Sequence, residues 1–478
     1  LQPYTLSNAV AALPFQSINS AAAIMGMFQA TSLRYATGPN AGQVIASPST
    51  LNGNGLLALM TNEDTTLNSL NNMTNDLRAS KVWDIGSGKL TFTAGFYKSS
   101  QDIDKAWTWT TTISDVLGGG KANLIDVFAG PFQITQNGYL GYNGVMIGGM
   151  RRDRYDLNYD INAPYGSLNY AVGKISVGAS WRYDMGKARG SLYGTSLPGS
   201  IKSITYDING NGTIAPAETK VGYINYATPG HVHYDYHYLS YSLSANYRMA
   251  QQFSMFGRYS KGARANADRI LFANYVSSAT GKLLVKSAAY DPVQQAEVGA
   301  KYRTNNLEVY MTGFWAKTRE HNIGLDRAYR AYGVELEAGY KLGIFNVTGG
   351  ATWTKAEITK DLLNPATVGN TPKHQADLIF QITPQIETER FTIGTNFYGT
   401  TDSFTGDTNQ LKMPGYVITN AFVQYRPTDN VTVMLNANNL FDVRGFVEVD
   451  ADFIPTSGVV TARTVNPRTV SATLSFKF

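Results

Sequence analysis

One segment of the chain has the residue spacing of a calcium-binding loop. Residues 207–218 read DINGNGTIAPAE and fit the pattern D-x-[DN]-x-[DN]-G-x₅-E at every required position. Gly212 stands where such a loop turns sharply, whereas Pro216 and the strand-like flanks are unlike a helix–loop–helix site. The alternative is a flexible Asn/Gly hairpin tip, which uses the same residue types for its turn. The oxygen donors of the predicted calcium site are Asp207, Asn209, Asn211, Thr213 and Glu218.

A second group of metal-ligand residue types follows within a few residues. His231, His233, Asp235 and His237 share one parity, so on a strand they lie on one face, and tyrosines occupy the positions between them. Imidazole and carboxylate groups suit transition-metal ions, so this face is a candidate contact for a metal or a metal chelate. The alternative is the extracellular end of a barrel strand, with polar residues toward the lumen and tyrosines in an aromatic girdle.

The sequence contains no recognisable catalytic arrangement. It has no cysteine, no G-x-S-x-G and no H-E-x-x-H pattern. The run Gly118-Gly119-Gly120-Lys121 lacks the spacing of a phosphate-binding loop. The paired carboxylates Glu335 and Glu337 would share one strand face, which favours lining a wet lumen over acid–base chemistry. We therefore predict that the protein is not an enzyme.

Composition limits the classes of fold that can position these candidate site residues. Only 16% of the 478 residues are charged and 12% are aromatic, which excludes a disordered chain. No stretch approaches the roughly 20 apolar residues of a membrane helix. The net charge of +5 is small for this length and gives no reason to expect a nucleic-acid partner. A soluble β-protein or an outer-membrane β-barrel remains.

Alternation of apolar and polar residues recurs along the chain, at the period of two that defines a half-buried strand. Examples are the segments 90–96, 241–249, 334–341, 431–438 and 470–478. Many such runs reach 9–12 residues, the length that a tilted strand needs to cross a bilayer. Two connector lengths alternate in the second half of the chain. The short ones include 303–306 and 427–430, and the long ones include 187–230, 402–413 and 442–466. This asymmetry is typical of an outer-membrane barrel with long extracellular loops.

Several segments resemble strands of TonB-dependent outer-membrane receptors. Phe253–Gly262 is similar to the family's aryl-x-Arg-Tyr-Ser-x-Gly strand, Glu297–Arg303 to its Glu-x-Gly-x-Lys strand, and Gly333–Glu337 to its Gly-Val-Glu strand. Asn436–Asp442 resembles the Asn-x-x-Asn-Leu-Phe-Asp element, and the chain ends on Ser475–Phe478. Order and spacing agree over about 240–478 and more weakly back to about 75. The resemblance implies an all-β, antiparallel transmembrane barrel of the 22-stranded type, incomplete here.

The resemblance has one gap, which concerns the N-terminal part of the chain. Family members carry a plug domain inside the barrel and a segment that recruits TonB, and neither is recognisable here. We expect residues 1–75 to form an irregular, partly helical segment and residues 76–478 to form the barrel, with 187–230 as a long loop. The missing plug favours a fragment of a longer precursor, and the alternative is a plugless or split barrel.

The function that the resemblance implies is TonB-dependent active uptake of a scarce bulky solute, such as a ferric siderophore. The expected location is the outer membrane of a Gram-negative bacterium. The expected partners are outer-membrane lipid, the missing plug and the TonB complex, and the expected ion is calcium in the 207–218 loop. Two alternatives stay open: a passive porin-like channel, and a surface-anchored structural or assembly barrel.

Overall fold

The computed structural model describes most of residues 16–477. The residues outside the description are 1–15, 118–119, 143–144, 148, 151, 194–200, 208–209, 215–217, 220, 225–226, 268–269, 272–274, 323–324, 456–457 and 478. Among the described residues, helices are short, and none has the length and apolar character that a membrane-crossing helix requires. The predicted donor Asn209 and the C-terminal Phe478 lie outside the described residues.

Strands make up most of the described chain. The single α-helix of the described part is α1 (Ala21–Met27). The strands are β1 (Gln16–Ser20), β2 (Ser32–Tyr35), β3 (Leu56–Ile85), β4 (Gly88–Asp115), β5 (Ile125–Ala129), β6 (Phe132–Gln133), β7 (Tyr139–Tyr142), β8 (Val145–Ile147), β9 (Gly149–Met150), β10 (Arg152–Val172), β11 (Ile175–Tyr193), β12 (Ile201–Ile204), β13 (Val221–Ile224), β14 (Gly230–Arg248), β15 (Phe253–Ala265), β16 (Tyr290–Arg303), β17 (Leu307–Asn322), β18 (Leu325–Leu342), β19 (Phe345–Asp361), β20 (Leu378–Glu387), β21 (Phe391–Thr400), β22 (Ser403–Phe404), β23 (Lys412–Met413), β24 (Tyr416–Thr428), β25 (Val431–Asn438), β26 (Phe446–Val449), β27 (Ala462–Thr464) and β28 (Thr469–Phe476).

The longer strands form one antiparallel meander. In order of pairing it runs β3, β4, β10, β11, β14, β15, β16, β17, β18, β19, β20, β21, β24, β25 and β28. At one end the strands are joined by tight turns such as 86–87, 173–174 and 343–344. At the other end, long connectors such as 266–289, 362–377 and 401–415 join most of them. Short turns on one side and long loops on the other match the predicted barrel asymmetry, in which the long loops are extracellular.

The two faces of the meander differ in polarity. On β18, Val334, Leu336 and Ala338 face one side, and Glu335 and Glu337 face the other, as the alternation predicted. Two exposed aromatic residues, Tyr332 and Tyr340, flank this apolar run on the same face. They are eight residues apart, which is about 27 Å along the strand and about 20 Å along the barrel axis at a typical tilt. A membrane barrel has an outer apolar band of about this height between two aromatic girdles.

On the opposite, inner face, aromatic rings lie over glycines of the neighbouring strand. Phe314 is directly opposite Gly333, and a Cβ atom on Gly333 would lie 2.6 Å from Phe314 Cζ. The same relationship joins other cross-strand pairs: Tyr165 with Gly95, Tyr236 with Gly186, Phe256 with Gly299, and Phe422 with Gly394. Only glycine leaves room for a ring that approaches the neighbouring backbone this closely. These glycines therefore let large aromatic side chains line the inner wall.

The N-terminal region differs from the expected boundary at residue 75. The short helix is present as α1, and the Ser20 hydroxyl caps it by accepting from Ala23 N at 3.1 Å. However, the barrel wall already begins at Leu56, because β3 pairs with β4 along the polar stretch that lacks clear alternation. Residues before β3 pack with the β4–β10 connector into a small apolar core. Its buried members include Ile24, Phe28, Leu33, Leu57, Ile113, Ile125, Val127, Ile134 and Leu140.

The long connector predicted at 187–230 is shorter in the structure. β11 continues to Tyr193 and β14 begins at Gly230, and these two strands pair from Leu192↔Gly230 downward. The composition of residues 186–193, with two glycines and an arginine, favours a loop. Pairing with β14 nevertheless keeps this stretch in an extended strand. The connector is therefore 194–229, and it carries the short strands β12 and β13.

Candidate functional site

A groove lined by both polar and apolar residues runs along the inner wall of β17–β21 and β24. It has a volume of about 720 Å³ and reaches from Glu308 and Tyr310 up to Thr400 and Tyr416. The Tyr310 hydroxyl donates to Glu308 Oε2 at 3.0 Å. Its other polar side chains are Glu335, Glu337, Thr348, Thr352, Gln381 and Tyr398. The two carboxylates predicted to line a lumen are thus part of a hydrogen-bonding wall that a polar solute could contact.

A buried ion-pair network lies at the end of this wall where the long connectors begin. The Arg327 guanidinium, with a side chain only 11% exposed, pairs with Asp361 Oδ2 at 2.6 Å and also with Asp407. Asp361 is the last residue of β19 and lies eight residues beyond Trp353, an exposed aromatic at the upper end of that strand's apolar run. Burial alone would raise the pKa of Asp361, but hydrogen bonds from Asn364 N, Arg327 and Thr367 outweigh it and lower the pKa to about 2. Asp361 is therefore ionised at any physiological pH.

A second buried cluster lies at the tops of β15–β18. His321 is fully buried, and its Nδ1 donates to Asp291 Oδ1 at 2.7 Å. Arg264 pairs with the other oxygen of Asp291 at 3.0 Å, and Arg319 chelates Asp326 with its closest contact at 2.8 Å. Sequence reasoning missed both clusters. Arg264 and Asp291, like Arg327 and Asp407, are distant in the chain, and the nearer pair Arg319 and Asp326 forms no recognised motif, so the sequence did not predict either cluster.

The predicted calcium loop folds around Asp207. Its carboxylate accepts from Gly210 N at 2.8 Å, Asn211 N at 3.2 Å and Gly212 N at 2.7 Å. Asn211 Oδ1 accepts from Thr213 N at 2.8 Å. The backbone carbonyl of Glu218 accepts from Tyr206 N at 3.0 Å, which brings the end of the segment back to its start. Asp207, Asn211 and Thr213 thus lie in one turn, and calcium binding there stays a prediction; Asn209 is outside the described residues.

The histidine row lies on the outer face of β14. His231, His233 and His237 are exposed and share their parity with the apolar residues Leu239 and Leu243 lower on the strand. Asp235 accepts from Arg189 Nη2 at 2.6 Å. Within the described part of the chain, no three histidine, aspartate or glutamate side chains are placed to hold one metal ion. Metal contact by this row stays a prediction.

The alternative interpretation of this row had the two faces reversed. The tyrosines between the histidines point to the inner wall, where Tyr234 is buried against Ile270 and Leu271 of the β15–β16 connector. Gly186 on β11 leaves space for the ring of Tyr236. Inward packing of the rings therefore decides the orientation, and the polar histidines and Asp235 are directed outward.

Comparison with known proteins assigns the family. A model described as "TonB dependent receptor-like, beta-barrel" matches residues 16–440, most of the chain. The chain belongs to the TonB-dependent receptor family. Members of this family are transport receptors and not enzymes, in agreement with the lack of a catalytic motif. The protein is also similar to the probable TonB-dependent siderophore receptor PiuA of Acinetobacter baumannii, with 26% identity over 192 residues, 35% of this chain and 25% of PiuA.

Solved structures of TonB-dependent receptors share the fold. The ferric-catecholate import receptor Fiu of E. coli K12 in its closed form has a TM-score of 0.59 at 15% identity, covering 88% of this chain and 60% of Fiu. For PiuA of Acinetobacter baumannii the TM-score is 0.58 at 17% identity, with 88% and 57% covered. For the ferric yersiniabactin receptor FyuA of Yersinia pestis it is 0.55 at 13% identity, with 88% and 62% covered. The chain spans about three fifths of these receptors' length.

The receptor motifs recognised in the sequence have local structural reasons. Asn439, in the Asn-Leu-Phe-Asp element, follows β25 with a left-handed φ of 47°. Its side-chain amide donates to Val443 O at 3.0 Å and Asn466 O at 2.9 Å, and its Oδ1 accepts from Val443 N at 2.8 Å. Asparagine tolerates the left-handed region and satisfies backbone groups at the same time. In the Gly-Val-Glu strand, Gly333 is the residue under the ring of Phe314.

Proposed function

We propose that this chain is the barrel portion of an outer-membrane receptor for TonB-dependent uptake of a ferric siderophore or a similar bulky solute. The observation that carries the proposal is the antiparallel meander with an apolar outer band, aromatic girdles and a polar inner wall, in a chain of the TonB-dependent receptor family. Such a surface suits insertion in the outer membrane, with outer-membrane lipid around the band. Siderophore-type solutes fit the siderophore receptor and the ferric yersiniabactin uptake receptor to which the chain is similar.

In the proposed mechanism this chain binds the solute and a plug domain gates its passage. The extracellular loops and the inner-wall groove capture the solute, and polar side chains such as Tyr310, Glu335, Glu337 and Gln381 are the wall that it meets. A barrel of this girth leaks unless it is filled, so gating needs a plug domain and the TonB complex. A scarce solute requires tight binding followed by energy-dependent release, because passive diffusion through an open pore delivers too little of the solute.

We propose further that residues 207–218 bind calcium in the β11–β14 connector. The support is the match of all required positions and the folding of the turn around the Asp207 carboxylate. Calcium takes oxygen ligands from carboxylates, amides and backbone carbonyls, which this segment offers. The ion would stiffen a long extracellular connector.

Uptake assays in a producing strain test the main proposal. The parent strain, a strain without the gene and a strain that keeps the gene but lacks tonB are grown under iron limitation and given a panel of ⁵⁵Fe-labelled siderophores. Loss of accumulation of the same chelate in both mutant strains supports a TonB-dependent receptor. Uptake that needs the gene but persists without tonB contradicts the proposal and favours a passive channel. Unchanged uptake of every chelate and of other bulky solutes favours a structural barrel.

A further inference from the structure

The outer face of the meander carries a row of aromatic residues that crosses neighbouring strands. Direct cross-strand pairing links Tyr259 of β15, Trp315 of β17 and Tyr332 of β18, with one residue of β16 between the first two. Tyr332 is one of the exposed aromatics that flank the apolar run of β18. Tyr259 and Trp315 share their strand faces with the exposed apolar residues Met255 and Met311. The three rings therefore mark the edge of the apolar band on the side of the long connectors.

A row of cations lies next to these rings, on the side of the long connectors. It consists of Lys261, Lys317 and Arg330, each two positions from one of the rings and joined by the same strand register. Lys355 of β19 is directly opposite the last ring, and its Nζ is 3.9 Å from Asp377. Alternate positions of a strand share a face, so these cations are directed outward with the rings. The outer face thus changes from aromatic to cationic within one step along each strand.

The charge of the cationic row is compensated only in part. Lys317 and Arg330 are directly opposite one another, and like charges in that position destabilise a sheet. Arg330 donates to Glu357 Oε1 at 2.5 Å. Lys261 and Lys317 form no ion pair within the part of the chain that the structure describes. The row therefore keeps a positive charge that a bound anion would neutralise.

The strands that follow β19 differ from this sector of the outer face. The described residues of β20, β21, β24, β25 and β28 include no lysine or arginine on that face. Their outer positions are largely apolar, and the exposed ones include Ile382, Ile393, Val423, Leu435 and Leu474. A lipid that contacts these strands meets no cation, whereas a lipid beside β15–β18 meets three. The cationic row therefore distinguishes one sector of the surface from its neighbour.

We propose that the cationic row binds the phosphate groups of a lipid head group, while the acyl chains of that lipid lie on the apolar band below. The inference rests on the proposed outer-membrane location and not on solute uptake. Lysine and arginine near a membrane surface attract anionic lipids, and the fork of Arg330 suits phosphate oxygens. Aromatic rings occupy the level between acyl chains and head groups, as the three rings do here. The ligand is a glycolipid with phosphate monoesters on its sugars, the chemistry of lipid A.

Native mass spectrometry of the full-length receptor in a non-ionic detergent tests the site. The probes are lipid A with two phosphate groups and the same lipid with one. The receptor is expected to bind the two-phosphate lipid about fivefold more tightly, because the phosphate charge adds to the apolar contact. Equal affinity for the two lipids would mean that only the acyl chains are bound, and the proposal would be wrong. This comparison needs no variant, so it stays decisive if a substitution impairs assembly.

Single substitutions in the cationic row locate the bound phosphate. Lys261→Gln and Lys317→Gln are each expected to lower the affinity for the two-phosphate lipid about fivefold, the contribution of one cation near a membrane surface. The matched control is Lys81→Gln, because Lys81 shares the outer face of β3 with Leu77 and Trp83 but lies near the tight turn 86–87 at the other end of the barrel. The control should bind the lipid as the parent does. Row variants that match the control would place the lipid elsewhere and overturn the proposal.

Inorganic phosphate distinguishes a lipid site from a site for a free anion. A millimolar excess of phosphate should leave the two-phosphate lipid bound, because buried acyl chains add to the attraction of the charges. Displacement of the lipid by phosphate alone would mean that the cationic row holds a free anion, contrary to the proposal.

Discussion

The ring of Phe314 on β17 lies over Gly333 of β18, directly across the strand pair on the inner wall. A Cβ atom on Gly333 would be 2.6 Å from Phe314 Cζ and 2.1 Å from the carbonyl oxygen of Trp353 on β19. Neither the sheet backbone nor the ring can yield enough to accommodate it. The Gly-Val-Glu motif therefore contains a residue with a packing role.

The first prediction is that Gly333→Ala destabilises the barrel by about 1–3 kcal/mol, the usual cost of overpacking. Urea unfolding of the purified protein, monitored by heat-modifiable mobility on gels, measures the loss. Gly313→Ala on β17 is the matched control, because a Cβ there would meet Val298 at 3.8 Å or more and should be tolerated. Equal stability of the two variants would refute the steric argument.

The second prediction concerns the two faces of β18. Leu336→Arg places a charge on the outer apolar band and should cost about 2–4 kcal/mol in a lipid bilayer. Glu335→Arg, one residue away, faces the inner wall and should be nearly neutral. Folding into liposomes at increasing urea concentrations compares the two. The assignment of faces is wrong if Glu335→Arg is the more damaging change.

The third prediction is a pH dependence at the rim of the barrel where the long connectors begin. The pKa of Asp361 in the folded protein is about 2, below its ordinary value of 3.8, so the ionised carboxylate favours the folded rim. Its contribution is complete above about pH 4 and is lost as the pH falls through about 2. Limited proteolysis by pepsin within 362–377 should accelerate over this window.

Asp361→Asn is the variant that separates this carboxylate from general acid unfolding. It should weaken the rim by about 2 kcal/mol at neutral pH, since it removes charged hydrogen bonds. The proteolysis rate of the variant should then vary less between pH 2 and pH 4 than that of the parent. An unchanged pH profile in the variant would assign the transition to other carboxylates.

The fourth prediction concerns calcium in the 207–218 loop. Tb³⁺ bound there should luminesce by energy transfer from the adjacent Tyr206, and Ca²⁺ should displace it. Asp207→Asn and Glu218→Gln should each lower the apparent Tb³⁺ affinity at least tenfold. Asp429→Asn, in a short turn at the other end of the barrel, is the control and should leave the signal unchanged. If the control and the two loop variants behave alike, the site is elsewhere.

Much of the architecture follows from local patterns in the sequence. Alternation along 334–340 and 470–476 predicted which side chains share a face, because the strand period of two fixes side-chain direction without reference to neighbours. It failed where a strand is polar on both sides, as at residues 61–66 of β3, and where glycines and charges imitate a loop, as near the end of β11.

The candidate site was predictable only in part. Glu335 and Glu337 were placed on the inner wall by parity, and residues 207–218 by a contiguous motif. The direction of the tyrosines beside His231 and His233 was not predictable, because it depends on a connector that packs against them from residues 270–271. Odd and even residues of a strand lie on opposite faces of the sheet. Which of the two faces lines the inside of the barrel is decided by packing against other segments.

By itself, the sequence determined the strand period, the polarity of each face and the family motifs, since all of these are properties of residues close together in the chain. The tertiary structure alone decided that Arg327, Asp361 and Asp407 meet, and that Asp291 and His321 are buried together. The physical reason is register. The register between neighbouring strands determines which residues, distant in the chain, become adjacent in the barrel. A buried charged group is stabilised only where this register places an oppositely charged partner beside it.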